Sequence, residues 1–392
     1  IHHSRHRGSE IASGLWHLIN YSIAVQFKSN TRPLQVRMFE EKEKTSIERL
    51  GEFKLIDHLT SAFETRHKET LLGVGDDAAI LQINNSTQLI STDIFIENIH
   101  FDMMYSPLVH IGYKCITASI SDIYAMNAQP KQVLVSIAIS SKYTLQAAEE
   151  LYTGIRAACE KYDIDLIGGD TSSSVTGMAI TVTAIGYADE DKIVKRSGAK
   201  EGDLLCVSGD LGGAYIGLQL LEREKQVFLE TKDMQPDLEG KDYVIGRQLR
   251  PEARKDIIDL LEDLGIVPTS MIDISDGLSS EVFHLCKQSN IGMKIYEEKL
   301  PIDQQTYDTA LEFNIPPTTT AMNGGEDYEL LFTLPQSQYD KIKNSLDISV
   351  IGYCTAAHEG KEIITKSGSM VPLEAQGWDT LSTPEESSTT ED

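Results

Sequence analysis

Five short segments of this 392-residue chain set carboxylates beside glycines or hydroxyls at the ends of apolar runs. No fold can bury such segments without finding partners for the charges, because an unpaired carboxylate beside a core is expensive. The segments are Gly73-Val74-Gly75-Asp76-Asp77, Ser91-Thr92-Asp93, Gly168-Gly169-Asp170-Thr171, Asp273-Ile274-Ser275-Asp276-Gly277 and Gly324-Gly325-Glu326-Asp327. In a strand Ser91 and Asp93 share a face, as do Asp273 and Ser275. A hydroxyl beside a carboxylate suits a hard cation that takes oxygen ligands. Asp276-Gly277 opens a helix, whose N-terminus favours anions. Ser119 and Asp122 lie three apart on a helix face shared with Ile111, Cys115 and Ala118. Gly168-Gly169 lets the backbone approach a ligand closely. Read singly, each segment also fits a solvated turn or hairpin, and Asp276 also fits a plain N-cap. Taken together they imply that distant acids converge on magnesium and the phosphates of a nucleotide.

Charge and motif content narrow the chemistry further. A formal net charge of −25 argues against a nucleic-acid partner or an anionic membrane surface. It leaves a phosphate substrate open, since bound cations invert the local sign. There is no G-x-x-x-x-G-K-[ST] loop, no G-x-G-x-x-G after a strand, no H-E-x-x-H and no G-x-S-x-G. Phosphates would therefore be held by metals bridging to carboxylates. The five cysteines, Cys115, Cys159, Cys206, Cys286 and Cys354, form no CxxC pair and read as small core residues in a reducing cytoplasm. No apolar run is long enough to span a membrane.

Periodicity predicts the elements. Residues 1–37 carry five Arg/Lys against one acid (+5 − 1 = +4) and read as an extension outside the fold, with a targeting peptide as the alternative. Helices are predicted at 52–63, 108–126 and 145–162, and strands at 88–94, 132–139, 165–168 and 179–187. A turn-rich stretch at 196–202 reads as a boundary. Beyond it come strands at 203–208, 270–274, 292–296, 328–333 and 348–353, helices at 214–222, 251–264 and 277–288, and a polar loop at 232–241. The expected class is α/β (α+β), with domains over 38–195 and 196–380 and a disordered acidic tail at 381–392.

The strings GVGDDAAIL, STD with IHF downstream, SDIYAMNAQP, LIGGDT, RSGAKEGD, VSGDLGGA, IDISDGLSSE and GGEDYELLFT follow one another in this order. Together they resemble the thiamine-monophosphate kinase family, within the aminoimidazole ribonucleotide synthetase superfamily, over residues 51–378. The resemblance implies two α/β domains, with N-terminal sheets pairing into a barrel across a homodimer. It implies ATP-dependent phosphorylation of thiamine monophosphate to thiamine diphosphate with several Mg2+ ions. Asp77, Ser91, Thr92, Asp93, Asp122, Asp170, Asp273 and Asp276 match metal-binding positions, and Asp93, Asp122, Asp273 and Asp276 would carry catalysis. Tyr152, Gly169, Asp170, Arg196 and Ser275 match ATP-contacting positions; His100, Glu326 and Trp378 match substrate-contacting ones. The nearest rivals are other reactions of the superfamily: that of the ribonucleotide synthetase itself, selenophosphate synthesis and hydrogenase maturation. Selenophosphate synthesis calls for a reactive Cys near the N-terminus, and the earliest here is Cys115. Hydrogenase maturation calls for one at the C-terminus, and this sequence ends Thr-Thr-Glu-Asp. A non-catalytic nucleotide-binding regulator is the rival from another class.

Overall fold

The computed structural model describes residues 67–83, 86–231 and 236–374. The extension 1–37, the helix expected at 52–63, Trp378 and the tail 381–392 lie outside the described residues.

Alternating apolar and polar positions build a six-stranded sheet from β1 (Thr70–Leu72), β2 (Ala79–Ile83), β3 (Ser86–Ile96), β4 (Gln129–Ser140), β5 (Asp165–Ser174) and β6 (Ala179–Ala188). Their order is β1-β2-β3-β6-β4-β5, antiparallel except for β4 with β5. On β3, Ser91 and Phe95 are buried, while Thr92, Ile94 and Ile96 are exposed. This is the period-two pattern of a sheet with one covered face. The cover is α1 (Leu108–Ala125) and α2 (Leu145–Tyr162). Along α1 only Val109, His110 and Asp122 escape full burial. A helix so apolar on every side belongs inside, and α1 packs on β3, β4, β6 and α2.

The second sheet has seven strands: β7 (Leu204–Ser208), β8 (Ser270–Asp273), β9 (Ile291–Tyr296), β10 (Leu330–Leu334), β11 (Ile348–Ala356), β12 (Lys361–Ile364) and β13 (Met370–Pro372). The order is β13-β12-β9-β11-β7-β10-β8, and only β12 with β9 is parallel. Its helices include α3 (Gly213–Glu230), α4 (Asp242–Leu249), α5 (Lys255–Asp263) and α6 (Leu278–Ser289). Helix α1 also touches β8, so it links the two sheets.

Three expectations are corrected. The strand predicted at 165–168 continues to Ser174, so Gly168-Gly169-Asp170 is strand and not turn. A Cβ on Gly169 would stand 1.8 Å from the Val135 carbonyl oxygen, so here the missing side chain serves parallel pairing with β4. The helix predicted at 251–264 begins only at Lys255, and α4 precedes it. Pro251 lacks an N–H and restricts Arg250, which ends α4 one residue earlier. The helix predicted to stop at 222 runs to Glu230, because its later turns are charged and exposed and carry weaker periodicity. All five cysteines are free and buried. No helix among the described residues is long and apolar enough to cross a membrane.

Candidate active site

Three chain-distant acids meet. Asp77 comes from the turn between β1 and β2, Asp122 from the last turn of α1, and Asp273 from the end of β8. Each offers a carboxylate oxygen, and the three lie within 4.8 Å of one another. A hydroxyl or guanidinium steadies each one. Ser91 donates to Asp122 Oδ2, and Ser121 donates to Asp273 Oδ2 at 2.7 Å. The Arg196 guanidinium donates to Asp77 Oδ1 at 2.6 Å, while its backbone N–H reaches the Asp76 carboxylate at 3.3 Å. Asp93, on the same face of β3 as Ser91, adds a fourth charge that acts on Asp122.

Burial dominates the electrostatics here, and mutual repulsion adds to it. Burial, then the neighbouring Asp77 charge, pushes Asp273 up to about 7. Burial and the charges of Asp93 and Asp273 push Asp122 well above the carboxylate range. Asp76 rises to about 6, again chiefly through burial. Asp77 Oδ2 and Asp93 Oδ2 are buried with no hydrogen-bond partner among the described residues. A set of oxygen-only donors that repel one another and leave buried lone pairs unmatched fits a hard divalent cation.

Beside this cluster lies the loop that leads into β10. Ile274 N–H donates to the Glu329 carbonyl at 2.8 Å, Tyr328 N–H to Ile274 at 2.8 Å and Glu326 N–H to Ser275 at 2.7 Å. The loop is thus tied to the turn that carries Ser275 and Asp276. A Cβ on Gly325 would stand 2.4 Å from the Ser275 carbonyl oxygen, which explains the glycine. Glu326 and Tyr328 sit at φ 63° and 52°, a left-handed conformation that strains non-glycine residues by about 1–3 kcal/mol each.

The acids of this loop part ways. Glu326 meets the Lys114 ammonium at 2.8 Å and the Gln248 amide at 2.9 Å. Asp327 accepts from the Gly212 and Ala214 N–H groups at 2.7 and 3.3 Å and pairs with Arg247. Glu329, read from the sequence only as part of the strand, is buried against Arg247, Arg254 and Ser208. Asp327 and Glu329 are therefore consumed by the framework, and Glu326 remains half-buried near His100. His100 Nδ1 accepts from the Ile96 N–H at 3.0 Å, which leaves the ring proton on Nε2 as a donor. Burial keeps the imidazole below its usual pKa and hence neutral at pH 7.

Other sequence-selected residues are placed elsewhere. Thr92 points from the opposite, exposed face of β3 to the Val182 carbonyl and Thr183, as strand alternation dictates. Gly169 and Asp170 lie on the exposed edge strand β5, and the Asp170 side chain makes no hydrogen bond among the described residues. Tyr152 lines an open cleft of about 680 Å³ with Arg156, Asp165 and Leu166. Ser275 and Asp276, by contrast, stay beside the cluster, in the turn that follows Asp273 and precedes α6, their N–H groups held by Glu281 Oε1 at 3.3 and 3.0 Å. Lys114, Ser121 and Glu281 escaped the sequence reading. Lys114 and Ser121 left the same trace as Asp122, a polar residue on an apolar helix.

The family model for AIR synthase related protein, N-terminal domain, matches residues 75–188. Thiamine-monophosphate kinase from Bacillus subtilis (strain 168) is 33% identical over 335 residues, 84% of this chain and 99% of the relative. The protein of that name from Aquifex aeolicus (strain VF5) is 32% identical over 332 residues, 85% and 98% of the two chains. Among solved structures, AaThiL complexed with AMPPCP and TMP aligns with a TM-score of 0.72 at 30% identity, covering 86% of this chain and 99% of that one. Hydrogenase maturation protein HypE in complex with ATP aligns with a TM-score of 0.61 at 16% identity over 83% and 96% of the chains, a likeness of fold alone.

Proposed function

Because this chain belongs to the thiamine-monophosphate kinase family, we infer that it transfers the γ-phosphoryl group of ATP to the phosphate of thiamine monophosphate, giving thiamine diphosphate. The observation that carries this reading is the meeting of Asp77, Asp122 and Asp273 in one place. These three, with Asp93 and Asp276, would hold Mg2+, which when bound offsets the repulsion between two anionic substrates. The acceptor phosphate, with a second pKa of about 6, is already largely ionised at neutral pH. A general base is therefore unnecessary, and the side chains act by position and charge. Arg196 offers a planar donor fork for phosphate oxygens. His100 Nε2–H and Glu326 face thiamine monophosphate, and Trp378 offers an aromatic face to its cationic thiazolium.

The remaining assignments need a second subunit. Ile94 and Ile96 on β3 and Leu166 and Ile167 on β5 are exposed apolar residues, which supports a homodimer with the two six-stranded sheets closing into a barrel. There Gly169, Asp170 and Tyr152 would complete the nucleotide and metal sites. Domains divided near residue 196 and a cytoplasmic location complete the proposal; five free thiols suit a reducing compartment.

The test is direct: purified protein, ATP, Mg2+ and thiamine monophosphate, with thiamine diphosphate quantified. Stoichiometric loss of ATP and gain of thiamine diphosphate is expected. Tight nucleotide binding without product would replace the kinase by the regulator.

A further inference from the structure

Lys114 stands in the first half of α1, a helix that is otherwise almost wholly apolar or small, and is only 7% exposed. A lysine is seldom buried so far unless its charge is matched. The match is specific. Its ammonium donates to Glu326 Oε1 at 2.8 Å and to the Gln248 carbonyl at 3.1 Å. The Gln248 side-chain amide donates to the other Glu326 oxygen at 2.9 Å. The three residues close a triangle between α1, α4 and the loop before β10, and both oxygens of Glu326 are fixed. The Glu326 backbone is fixed as well, in its left-handed conformation, by the bond to Ser275. A cavity of about 20 Å³ lies alongside, lined by His100, Tyr105, Ser106, Lys114 and Gln248.

Lys114 and Asp122 are carried by one rigid element. Eight residues of helix separate them, about 12 Å of axial rise. The residue that fixes Glu326 and one of the three converging acids thus move only together. We propose that Lys114 is a positioning residue for the phosphoryl acceptor. It holds the Glu326 carboxylate between α1 and α4, at a distance from the acid cluster that α1 sets. Lys114 acts through Glu326 and not on the substrate itself. The inference rests on the kinase reading above, in which Glu326 faces thiamine monophosphate.

Steady-state kinetics of wild type, Lys114→Met, Glu326→Gln and the double variant, with ATP and thiamine monophosphate varied separately, provide the test. Lys114→Met is expected to raise KM for thiamine monophosphate about tenfold or more and to change KM for ATP less than about twofold. In the Glu326→Gln background the same substitution is expected to add less than about twofold, since the group it positions is already altered. A parallel rise in both KM values, or a double variant whose effect is the product of the single effects, overturns the proposal. Lys114→Met leaves a carboxylate without its cation and can fail to fold. The Glu326→Gln background removes that charge, so the comparison within it still decides. Wild type that makes no thiamine diphosphate overturns the kinase reading and this inference together. Wild-type turnover without the expected split in KM overturns this inference alone.

Discussion

Asp273 shows what burial among other acids does to one carboxylate. Burial, and then the charge of Asp77, lifts it from the ordinary value to about 7. The folded chain therefore keeps a proton that the unfolded chain releases above about pH 4. Folded stability tied to that proton is fully present below about pH 4 and is lost as pH rises through about 7. Asp273→Asn removes this liability. In chelator, its melting temperature is expected to exceed that of wild type, by more at about pH 8 than at about pH 5. Thermal unfolding at the two pH values checks this; a lower melting temperature at the higher pH would make Asp273 a structural acid. Turnover is expected to vanish in Asp273→Asn and in Asp276→Asn, because neither amide replaces an anionic oxygen ligand.

At the scale of elements, strand ends and one helix gather the site. The turn after β8 and the loop before β10 are interlocked by backbone hydrogen bonds, so Ser275, Asp276 and Glu326 cannot shift independently. Gly325→Ala forces a Cβ to within 2.4 Å of the Ser275 carbonyl oxygen. It is expected to destabilise the fold by about 1–3 kcal/mol and to lower turnover, as read by urea unfolding and by the kinase assay. Unchanged stability would mean that the loop has room to move. Behind the same loop, Arg247 and Arg254 neutralise Glu329, which frees no charge toward the substrate side.

For the whole molecule, the two expectations concern metal and assembly. On the proposed function Mg2+ would bind the folded chain in preference to the unfolded one, and at about a hundred times its dissociation constant it is expected to add about 2.7 kcal/mol to stability. The shift should disappear in Asp77→Asn, and an equal shift in that variant would place the ion elsewhere. Ile94→Glu sets a charge on the exposed outer face of the six-stranded sheet. If the proposed homodimer forms through this face, light scattering is expected to find a monomer, with turnover lost for want of the partner's β5; a dimeric, active variant would move the interface to another face.

Local physics was legible along the chain. The long helices α1 and α2 and strands β3, β4 and β6 follow from period alone, because each has one face or stripe that must leave water. The acids at Asp77, Asp122 and Asp273 were legible too, since a carboxylate beside an apolar run demands a partner wherever the chain puts it. What period could not supply was the identity of those partners. Glu326 and Asp327 are neighbours of the same type, yet α1 and α4 bring Lys114 and Gln248 to the first, and the Gly212 turn and Arg247 take the second. Thr92 lies between two residues of the covered face and points away from them, and Asp170 falls on a strand with no neighbour on one side among the described residues. The sequence by itself determined which side chains are costly to bury. Only the tertiary structure decided which of those charges cancel one another and which stay available, because cancellation depends on distances between segments far apart along the chain.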